Sequence, residues 1–420
     1  MVEILIGDVR ENLRAMPADH FDCVVTSPPY WGLRDYGTAI WVGGDKDCDH
    51  RSPTMREGRN EDRPKLAGSA ATNSAQNILA HNSNCGKCGA VKVDQQIGLE
   101  RTLGEHLAVM VEVFGEVHRV LKPTGTLWLN YGDCYATAPN GRSAADTKAV
   151  GNDDRTFRDK PFSTIGGVLK SKDLCMIPNR LAIALQEAGW WVRSEIIWHK
   201  PNPMPESIRD RPTSSHEKIW LMTKRERYFY DADAISEPVT ASTVDRVSQA
   251  NWPKQVGSDR ANAGGKTNGN MKAVVKRAKD SSDGARPPNS RPHNLSKFEA
   301  NHNREYLVRN ARNVWTMGTA AFSEAHFATF PAELAERCIK AGCPAGGSVL
   351  DPFGGAGTTG VVAASLGRLA TLIELNPEYA KIARTRIDAA FMGREEGARH
   401  MVRNLGKLDV DAGPLFATRP

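Results

Sequence analysis

The chain of 420 residues carries a formal net charge of +6, and 40% of its residues are hydrophobic. This composition is that of a globular protein, and the length is enough for two or three domains. We expect no signal peptide and no membrane span, because the first residues lack a basic segment before an apolar one and no apolar run reaches about 18 residues. The eight cysteines are too thinly spread for a disulfide framework, which indicates a reducing, cytoplasmic compartment.

Strand and helix patterns alternate in the first half of the chain. Apolar strands are predicted at residues 3–7 and 21–25, with a helix at 10–16 between them. A polar, irregular insertion follows at 43–93. The next predicted elements are a helix at 99–121, a strand at 126–133, a helix at 178–188 and strands at 190–200 and 216–224.

Regular structure resumes after a basic segment. From residue 240 to 313 the chain has 14 Lys and Arg against 6 Asp and Glu, a net charge of +8 that exceeds the excess of the whole chain. Beyond it the predicted elements are a helix at 326–342, a strand at 348–353, a glycine-rich loop leading into a helix at 355–367, a strand at 369–376 and a helix at 377–391. Alternation on both sides of the centre predicts an α/β fold with a mainly parallel sheet.

The segment SVLDPFGGAGTTG joins a strand to a helix through a tight glycine turn. Its spacing Gly355-x-Gly357-x-x-Gly360 fits a dinucleotide-type fingerprint, and Glu374 ends the next strand, where a carboxylate accepts hydrogen bonds from ribose hydroxyls. The pattern predicts a nucleoside-bearing cofactor over the turn. Asp351 would repel a pyrophosphate and attract a cationic amino group, which favours S-adenosylmethionine over NAD. A turn that serves only packing is the alternative.

A second unusual stretch, TSPPYWG, follows the predicted strand at 21–25. Two prolines fix their own φ angles and hold the preceding residues extended. One interpretation is a rigid turn that only ends the strand. The other is a preset pair of hydrogen-bond acceptors, the Ser27 side chain and the Pro28 carbonyl, with the aromatic Tyr30 beside them.

These two stretches carry a resemblance to a known family. DPFGGAGTTG resembles the cofactor motif, and TSPPY the catalytic motif, of the DNA methyltransferases that modify exocyclic amino groups and make N4-methylcytosine or N6-methyladenine. The order of the motifs, catalytic first, is similar to the beta group of that family. The resemblance implies a Rossmann-like α/β sheet that binds S-adenosylmethionine and takes strands from both ends of the chain. It implies a catalytic half at 1–236, a target-recognition region at 237–312, a cofactor-binding half at 313–395 and a tail at 396–420.

The resemblance also assigns cofactor contacts to single residues. Asp8 matches the acid that contacts adenine, Glu374 matches the acid that binds ribose, and the segment HFATFP matches the one that packs along the methionine part. The residues assigned to the cofactor are Asp8, His326, Phe330, Pro331, Asp351, Phe353, Gly355, Gly357 and Glu374.

The catalytic motif, Ser27, Pro28, Pro29 and Tyr30, would act on a base flipped out of double-stranded DNA. The exocyclic amino group is a poor nucleophile because its lone pair is conjugated with the ring. Two fixed acceptors that take both N–H hydrogens let the nitrogen direct its lone pair at a methyl group, while Tyr30 stacks on the base. Ser27, and Phe330 in place of a lysine common among adenine enzymes, favour cytosine N4, and adenine N6 stays open.

The insertion at 43–93 contains a cluster of metal-ligating residues in a CxH and CxxC arrangement: Cys48, His50, Cys85 and Cys88. Four such ligands complete a tetrahedral structural zinc site, which would give a segment with few apolar residues something to fold around. Thiols without a metal in a loop are the alternative.

Basic residues outside the motifs suggest how DNA is bound. The charge of the region at 237–312 suits phosphates, and its Asn and Arg residues suit base edges. Lys200, Arg209 and Arg211 lie in a proline-rich loop after a strand, and we predict that they contact DNA phosphates near the catalytic pocket. A solvated loop and a plain linker are the respective alternatives. The resemblance further implies that a homodimer is plausible.

Two other classes of function compete with this interpretation. One is a methyltransferase of similar fold that acts on RNA or on protein glutamine through a related N-P-P-Y motif. The other is a non-catalytic DNA-binding module or an NAD enzyme. The motif order, the basic segment and the cysteine cluster favour the DNA methyltransferase, because glutamine-directed relatives have the reverse order and the sequence singles out no hydride-transfer residue.

Overall fold

A computed structural model describes residues 2–33, 38–49, 85–137, 163–242, 245, 308–319, 330–392 and 396. The chain divides into two compact units. The first comprises Met1–Pro28, Leu107–Tyr135 and Lys172–Pro420, and the second comprises Pro29–His106 and Ala136–Ser171. Across the described ranges, every helix is too short or too polar to cross a membrane.

The described elements are twelve strands and six helices. The strands are β1 (Val2–Ile6), β2 (Phe21–Thr26), β3 (Ile40–Val42), β4 (Val91–Val93), β5 (Leu121–Tyr131), β6 (Trp191–His199), β7 (His216–Thr223), β8 (Glu237–Pro238), β9 (Val308–Arg309), β10 (Val314–Thr316), β11 (Ser348–Asp351) and β12 (Leu369–Glu374). The helices are α1 (Val9–Ala15), α2 (Leu103–Val120), α3 (Ile177–Glu187), α4 (Ala332–Gly342), α5 (Thr358–Ser365) and α6 (Pro377–Ala390).

One eight-stranded sheet forms the centre of the first unit, in the order β1-β12-β11-β2-β5-β7-β6-β10. Neighbouring strands are parallel except at β7, which is antiparallel to both β5 and β6. The predicted α/β fold with a mainly parallel sheet is therefore confirmed. The sheet also joins both ends of the chain, since β1 pairs with β12 and β2 pairs with β11.

Helices cover the sheet through apolar stripes and close backbone approach. The long helix α2 buries Met110, Val113, Phe114 and Val117, which recur at the spacing of one helix face. At Gly342, the last residue of α4, an added Cβ would lie 2.3 Å from the Trp128 ring nitrogen, so no side chain fits there. The buried face of α2 and the close approach of Gly342 to Trp128 thus agree with the helices predicted from the sequence.

Two element boundaries differ from the sequence prediction by five residues or more. Helix α4 begins at Ala332 and not at residue 326, because Pro331 holds an extended backbone (φ −66°, ψ 150°) at the N-cap position. Strand β5 begins at Leu121, directly after α2, although its regular pairing with β2 starts only at Thr126 after a shift in register. A bulge of this kind accommodates Pro123, which has no N–H for a strand partner.

A short antiparallel pair marks the edges of the basic region. Strands β8 and β9 pair Glu237 with Arg309. The Glu237 carboxylate also lies 3.1 Å from Nε of Arg312 and 3.6 Å from Nη2 of Arg337. Of the predicted recognition region at 237–312, residues 243–244 and 246–307 lie outside the described residues.

Candidate active site

The strand order reverses between β11 and β2. From β11 the chain passes through α5 to β12 on one side, and from β2 it passes through α2 to β5 on the other. In open parallel sheets such a switch point leaves a crevice at the carboxyl ends of the strands, where ligands bind. Both sequence motifs begin here, because Ser27 follows the last residue of β2 and Pro352 follows the last residue of β11.

Glycines shape the turn between β11 and α5 in two different ways. Gly355 and Gly357 both have positive φ, at +49° and +80°. A Cβ on Gly357 would lie 2.9 Å from Cβ of Ala383 in α6, so this glycine permits close packing of the turn on that helix. The nearest atom to a Cβ on Gly355 would be the carbonyl oxygen of Phe353, at 3.9 Å. The space over Gly355 is therefore open to a ligand.

Glu374 closes this turn from the neighbouring strand. Its Oε2 accepts a hydrogen bond from the Gly355 N–H at 2.8 Å, and its Oε1 accepts one from the Asn376 N–H at 2.9 Å. Burial raises the pKa of this half-buried carboxyl, and the two backbone hydrogen bonds offset part of that rise. Glu374 thus lies against the glycine turn, and its contact with ribose remains a prediction.

Asp351 is buried where the two motifs meet, with 2% of its surface exposed. Its Oδ1 accepts a hydrogen bond from the Thr26 hydroxyl and its Oδ2 accepts one from the Thr359 hydroxyl, both at 2.6 Å. The Phe353 N–H donates to Oδ1 at 3.1 Å. Burial raises the pKa of Asp351 to about 6, and these hydrogen bonds limit the rise.

The Asp351 carboxylate therefore joins β2, β11 and α5, and it holds the start of the catalytic motif beside the cofactor turn. The sequence prediction assigned Asp351 to the cofactor but missed the two threonines that bind it. A hydroxyl residue just before SPPY and another in GTT were the signals available. Arg386 of α6 was also missed: it is buried, and its guanidinium donates to the Ala356 carbonyl inside the turn.

Asp8 occupies the carboxyl end of β1 at the start of α1. Its Oδ1 accepts from the Arg10 N–H at 2.8 Å, which caps the helix, and its Oδ2 lies 2.8 Å from Nη2 of Arg10. Burial raises the pKa of Asp8, but the hydrogen bonds and charge of Arg10 outweigh it, so the pKa lies below its ordinary value. Its carboxylate is ionised, and the adenine contact stays a prediction.

The rest of the predicted cofactor set is only partly described. Phe330 is buried in the core of the first unit, Pro331 caps α4, and Phe353 is half-buried in the turn. His326 lies outside the described residues. The methionine-binding role of this segment therefore remains a prediction.

The catalytic motif is held on both flanks. On its first side Ser27 is half-buried and Pro28 is buried, directly after β2. Within the second unit Tyr30 is half-buried, and the Trp31 ring N–H donates to the Glu100 carbonyl at 2.9 Å. The Gly32 N–H donates to the Gly98 carbonyl at 2.8 Å. These bonds fix the chain just after the motif.

The three cations predicted to bind DNA differ in their surroundings. Lys200 pairs with Glu217 and lies 4.5 Å from the centre of the Trp198 ring. Arg211 pairs with Glu206 at 2.8 Å. Arg209 is exposed. Of the three side chains, Arg209 is the exposed one, whereas Lys200 and Arg211 form ion pairs with Glu217 and Glu206. Their contacts with DNA phosphates remain a prediction.

Three of the predicted zinc ligands come together in the second unit. The thiol groups of Cys48, Cys85 and Cys88 all lie within 4.8 Å of one another, and the first two are 3.8 Å apart. Zinc–sulfur bonds of about 2.3 Å in a tetrahedron place sulfur atoms about 3.8 Å apart. A Cβ on Gly44 would lie 2.7 Å from the Cys88 sulfur, so glycine is needed beside the cluster. His50 lies outside the described residues.

Fold and site together define a class of protein: an α/β protein with a mainly parallel sheet, in which the glycine turn after β11 and the Ser27-Pro28 sequence after β2 both begin at the switch point. The sequence profile of the DNA methylase family that covers N6- and N4-directed enzymes matches residues 21–385. The chain belongs to this family.

The chain is also similar to individual proteins. The chain is 34% identical to the Type II methyltransferase M.SmaI of Serratia marcescens over 92% of this chain and 90% of that protein. It is 35% identical to the Type II methyltransferase M.XycI of Xanthomonas campestris pv. cyanopsidis over 91% of this chain and 86% of that protein. A solved structure, the cytosine-N4-specific PvuII DNA methyltransferase, is similar at a TM-score of 0.49 and 16% identity over 97% of this chain and 93% of that one.

Membership in the family fixes the reaction class predicted from the two motifs. The protein is an S-adenosylmethionine-dependent DNA methyltransferase of the cytosine-N4 or adenine-N6 type. The alternatives of an RNA- or glutamine-directed enzyme and of a non-catalytic DNA-binding module or NAD enzyme are not favoured.

Proposed function

We propose that the protein methylates the exocyclic amino group of a base flipped out of double-stranded DNA, with Ser27 and the Pro28 carbonyl as the acceptors of its N–H hydrogens and Tyr30 as the stacking residue. The observation that carries this proposal is the buried Asp351 carboxylate, which bonds Thr26 and Thr359 at 2.6 Å each. Because that hydrogen-bond network fixes the strand before Ser27 against the glycine turn, it supports a backbone that presents the two acceptors in a preset position.

The residues around the glycine turn fit S-adenosylmethionine. The open space over Gly355 and the Glu374 carboxylate suit the nucleoside part, as the sequence motif predicts. Phe353 offers an apolar surface beside them, and His326, Phe330, Pro331 and Asp8 complete the proposed set. When bound, S-adenosylmethionine supplies a methyl group on a positively charged sulfur.

We propose cytosine N4 as the target position. A neutral hydroxyl at position 27 is typical of the cytosine enzymes that the sequence resembles, and Phe330 replaces the lysine common among adenine enzymes. Adenine N6 is the second candidate, because a hydroxyl acceptor suits either amino group. The relatives are named Type II methyltransferases, so we propose site-specific modification in a restriction-modification system.

The experiment that tests this function identifies the product. The protein is incubated with S-adenosylmethionine and unmethylated genomic DNA, the DNA is digested to nucleosides, and methylated nucleosides are identified by mass spectrometry. We expect N4-methylcytosine, produced at one recurring sequence. N6-methyladenine would overturn the choice of base, and absence of both from protein that binds S-adenosylmethionine would contradict the proposed function.

We also propose a structural zinc ion in the second unit, held by Cys48, Cys85, Cys88 and His50. The three thiols already converge, and the Gly89 N–H donates to the Cys85 carbonyl at 2.9 Å, which closes the knuckle around the cluster. Its role would be to order the insertion at 43–93, because a site with four protein ligands leaves no open position for chemistry.

Metal analysis of the purified protein is expected to find about one zinc per chain. A Cys88→Ser variant should lose most of it, because a hydroxyl is a much poorer zinc ligand than a thiolate. Cys134→Ser, which changes a cysteine of the first unit, should retain the metal. Zinc-free protein that is folded and active, or equal zinc in both variants, would contradict the proposed site.

The finer assignments from the sequence complete the proposal. The region at 237–312 would read the DNA sequence between a catalytic half at 1–236 and a cofactor-binding half at 313–395. Arg209 would contact phosphates, with Lys200 and Arg211 supporting its loop. A homodimer and a cytoplasmic location, where genomic DNA is the substrate, are also proposed.

A further inference from the structure

The loop between β6 and β7 carries an apolar side chain far out in solvent. Met204 is 83% exposed, more than any other large hydrophobic residue in the described part of the chain. It lies between Pro203 and Pro205 in the sequence PNPMPES, so the backbone on both sides is restricted. An isolated exposed apolar residue needs no explanation by itself. Met204, however, lies on an ordered loop that leaves the same edge of the sheet as the proposed catalytic motif.

Hydrogen bonds and ion pairs hold this loop in place. At its base the Lys200 N–H donates to the Ser215 carbonyl at 2.8 Å. Within the loop both Nη atoms of Arg211 donate to the Glu206 carboxylate, at 2.8 and 3.4 Å. The Arg211 guanidinium also lies 3.7 Å from the centre of the Tyr135 ring. The exposure of Met204 is therefore built into an ordered loop.

The loop projects from the edge of the sheet where the reaction takes place. The loop leaves the carboxyl end of β6. Strand β7 is antiparallel to both β6 and β5, and β5 is parallel to β2, so β6 and β2 run in the same direction. Ser27 follows the carboxyl end of β2 at the same edge. Three strand spacings, about 14 Å, separate β6 from β2. One turn of a DNA duplex spans about 34 Å, so a single duplex reaches both positions.

A base that leaves the duplex opens a gap in the stack. Proteins that deform DNA insert apolar side chains such as methionine between base steps, where they replace part of the lost stacking. Methionine suits such a gap because its chain is unbranched and its sulfur is polarisable. The exposed Arg209 on the same loop supplies a cation for the adjacent backbone.

We propose that Met204 is the wedge that enters the duplex when the target base is flipped out. This inference rests on the proposed function, in that the substrate is double-stranded DNA. The exposed Met204 side chain would therefore contact DNA and not a second copy of the chain. Met204 would act on the flipping equilibrium and not on the methyl transfer itself.

The test compares Met204→Ala with the unaltered protein on two duplexes that contain its methylation site. In one the target base has its normal partner, and in the other an abasic position lies opposite it, so that flipping costs little. We expect kcat/KM of Met204→Ala to fall about 10-fold or more on the paired duplex and to recover on the abasic one. A fluorescent base analogue at the target position should brighten less with the variant.

Two control variants sharpen the comparison. Met204→Leu keeps an apolar wedge and should retain most of the activity, and Ile183→Ala changes an exposed apolar residue of α3 and should act as the unaltered protein does. Equal loss on both duplexes, no loss on the paired one, or a change in oligomeric state of Met204→Ala would overturn the wedge. Failure of the unaltered protein to methylate either duplex would instead overturn the proposed function.

Discussion

A Ser27→Ala variant is expected to lose about two to three orders of magnitude in turnover while it binds S-adenosylmethionine with unchanged affinity. The variant removes one of the two proposed acceptors for the amino hydrogens, and the Pro28 carbonyl alone cannot direct the nitrogen lone pair. Such a loss corresponds to about 3–4 kcal/mol of transition-state stabilisation. The measurements are single-turnover methylation of duplex DNA and calorimetric titration with the cofactor.

Ser27→Asp is the matched variant for this experiment. It restores an acceptor of the kind used in the D-P-P-Y form of the motif, so it should retain more activity than the alanine variant. Full turnover of Ser27→Ala would remove the proposed mechanism. Loss of cofactor binding in that variant would show instead that the alanine disturbs the fold of the crevice.

An Asp351→Ala variant is expected to lower the free energy of unfolding by about 2–4 kcal/mol and to abolish activity. It leaves the hydroxyls of Thr26 and Thr359 without their 2.6 Å acceptor in the interior. Because those hydroxyls lie on β2 and α5, the catalytic motif and the cofactor turn lose their common anchor. Urea unfolding and methylation of duplex DNA measure the two effects.

An Asp351→Asn variant separates the charge of this group from its shape. Burial raises the pKa of Asp351 from 3.8 to about 6, so between these values the folded protein keeps a proton that the unfolded chain has lost. The stability of the unaltered protein relative to the asparagine variant is therefore highest at low pH, and it decreases as the pH rises from about 4 toward 6. From pH 5 to pH 7 we expect a decrease of about 1 kcal/mol. A difference that is constant or grows over this range would contradict the assignment.

The fold was accessible from the sequence because its signals are local. Short apolar runs such as FDCVV, rich in β-branched residues, favour buried strands, and proline and glycine mark the ends of the elements that follow. Each motif was also predicted to follow a strand, and the structure places both at the switch point of the sheet. Hydrophobic periodicity does not reveal which strands become neighbours. The resemblance predicted only that strands from both ends of the chain share one sheet, and the pairing of β2 with β11 is known from the structure.

The interior of the site could not be predicted in the same way. Thr26 and Thr359 are more than 300 positions apart in the chain, and a threonine has no sequence signature for the carboxylate that it will meet. Arg386 lies among other charged residues of α6, and nothing in the spacing distinguishes this buried arginine from the exposed Arg384. Lys200 and Arg211 were assigned to DNA from charge, whereas the positions of Glu217 and Glu206 decide how much of that charge remains for a phosphate.

The pairing of β1 with β12 and of β2 with β11 has a consequence for how the protein is made. Strand β1 and the edge of β2 that faces β11 leave the ribosome early but find their partners only when residues 348–374 have been synthesised, whereas the other edge of β2 pairs with β5. At about 5–20 residues per second this delay lasts roughly 20–70 s. Two apolar strand edges stay without partners during that interval, which favours binding by chaperones over early folding. No nascent chain can modify the genome before its last strands are in place.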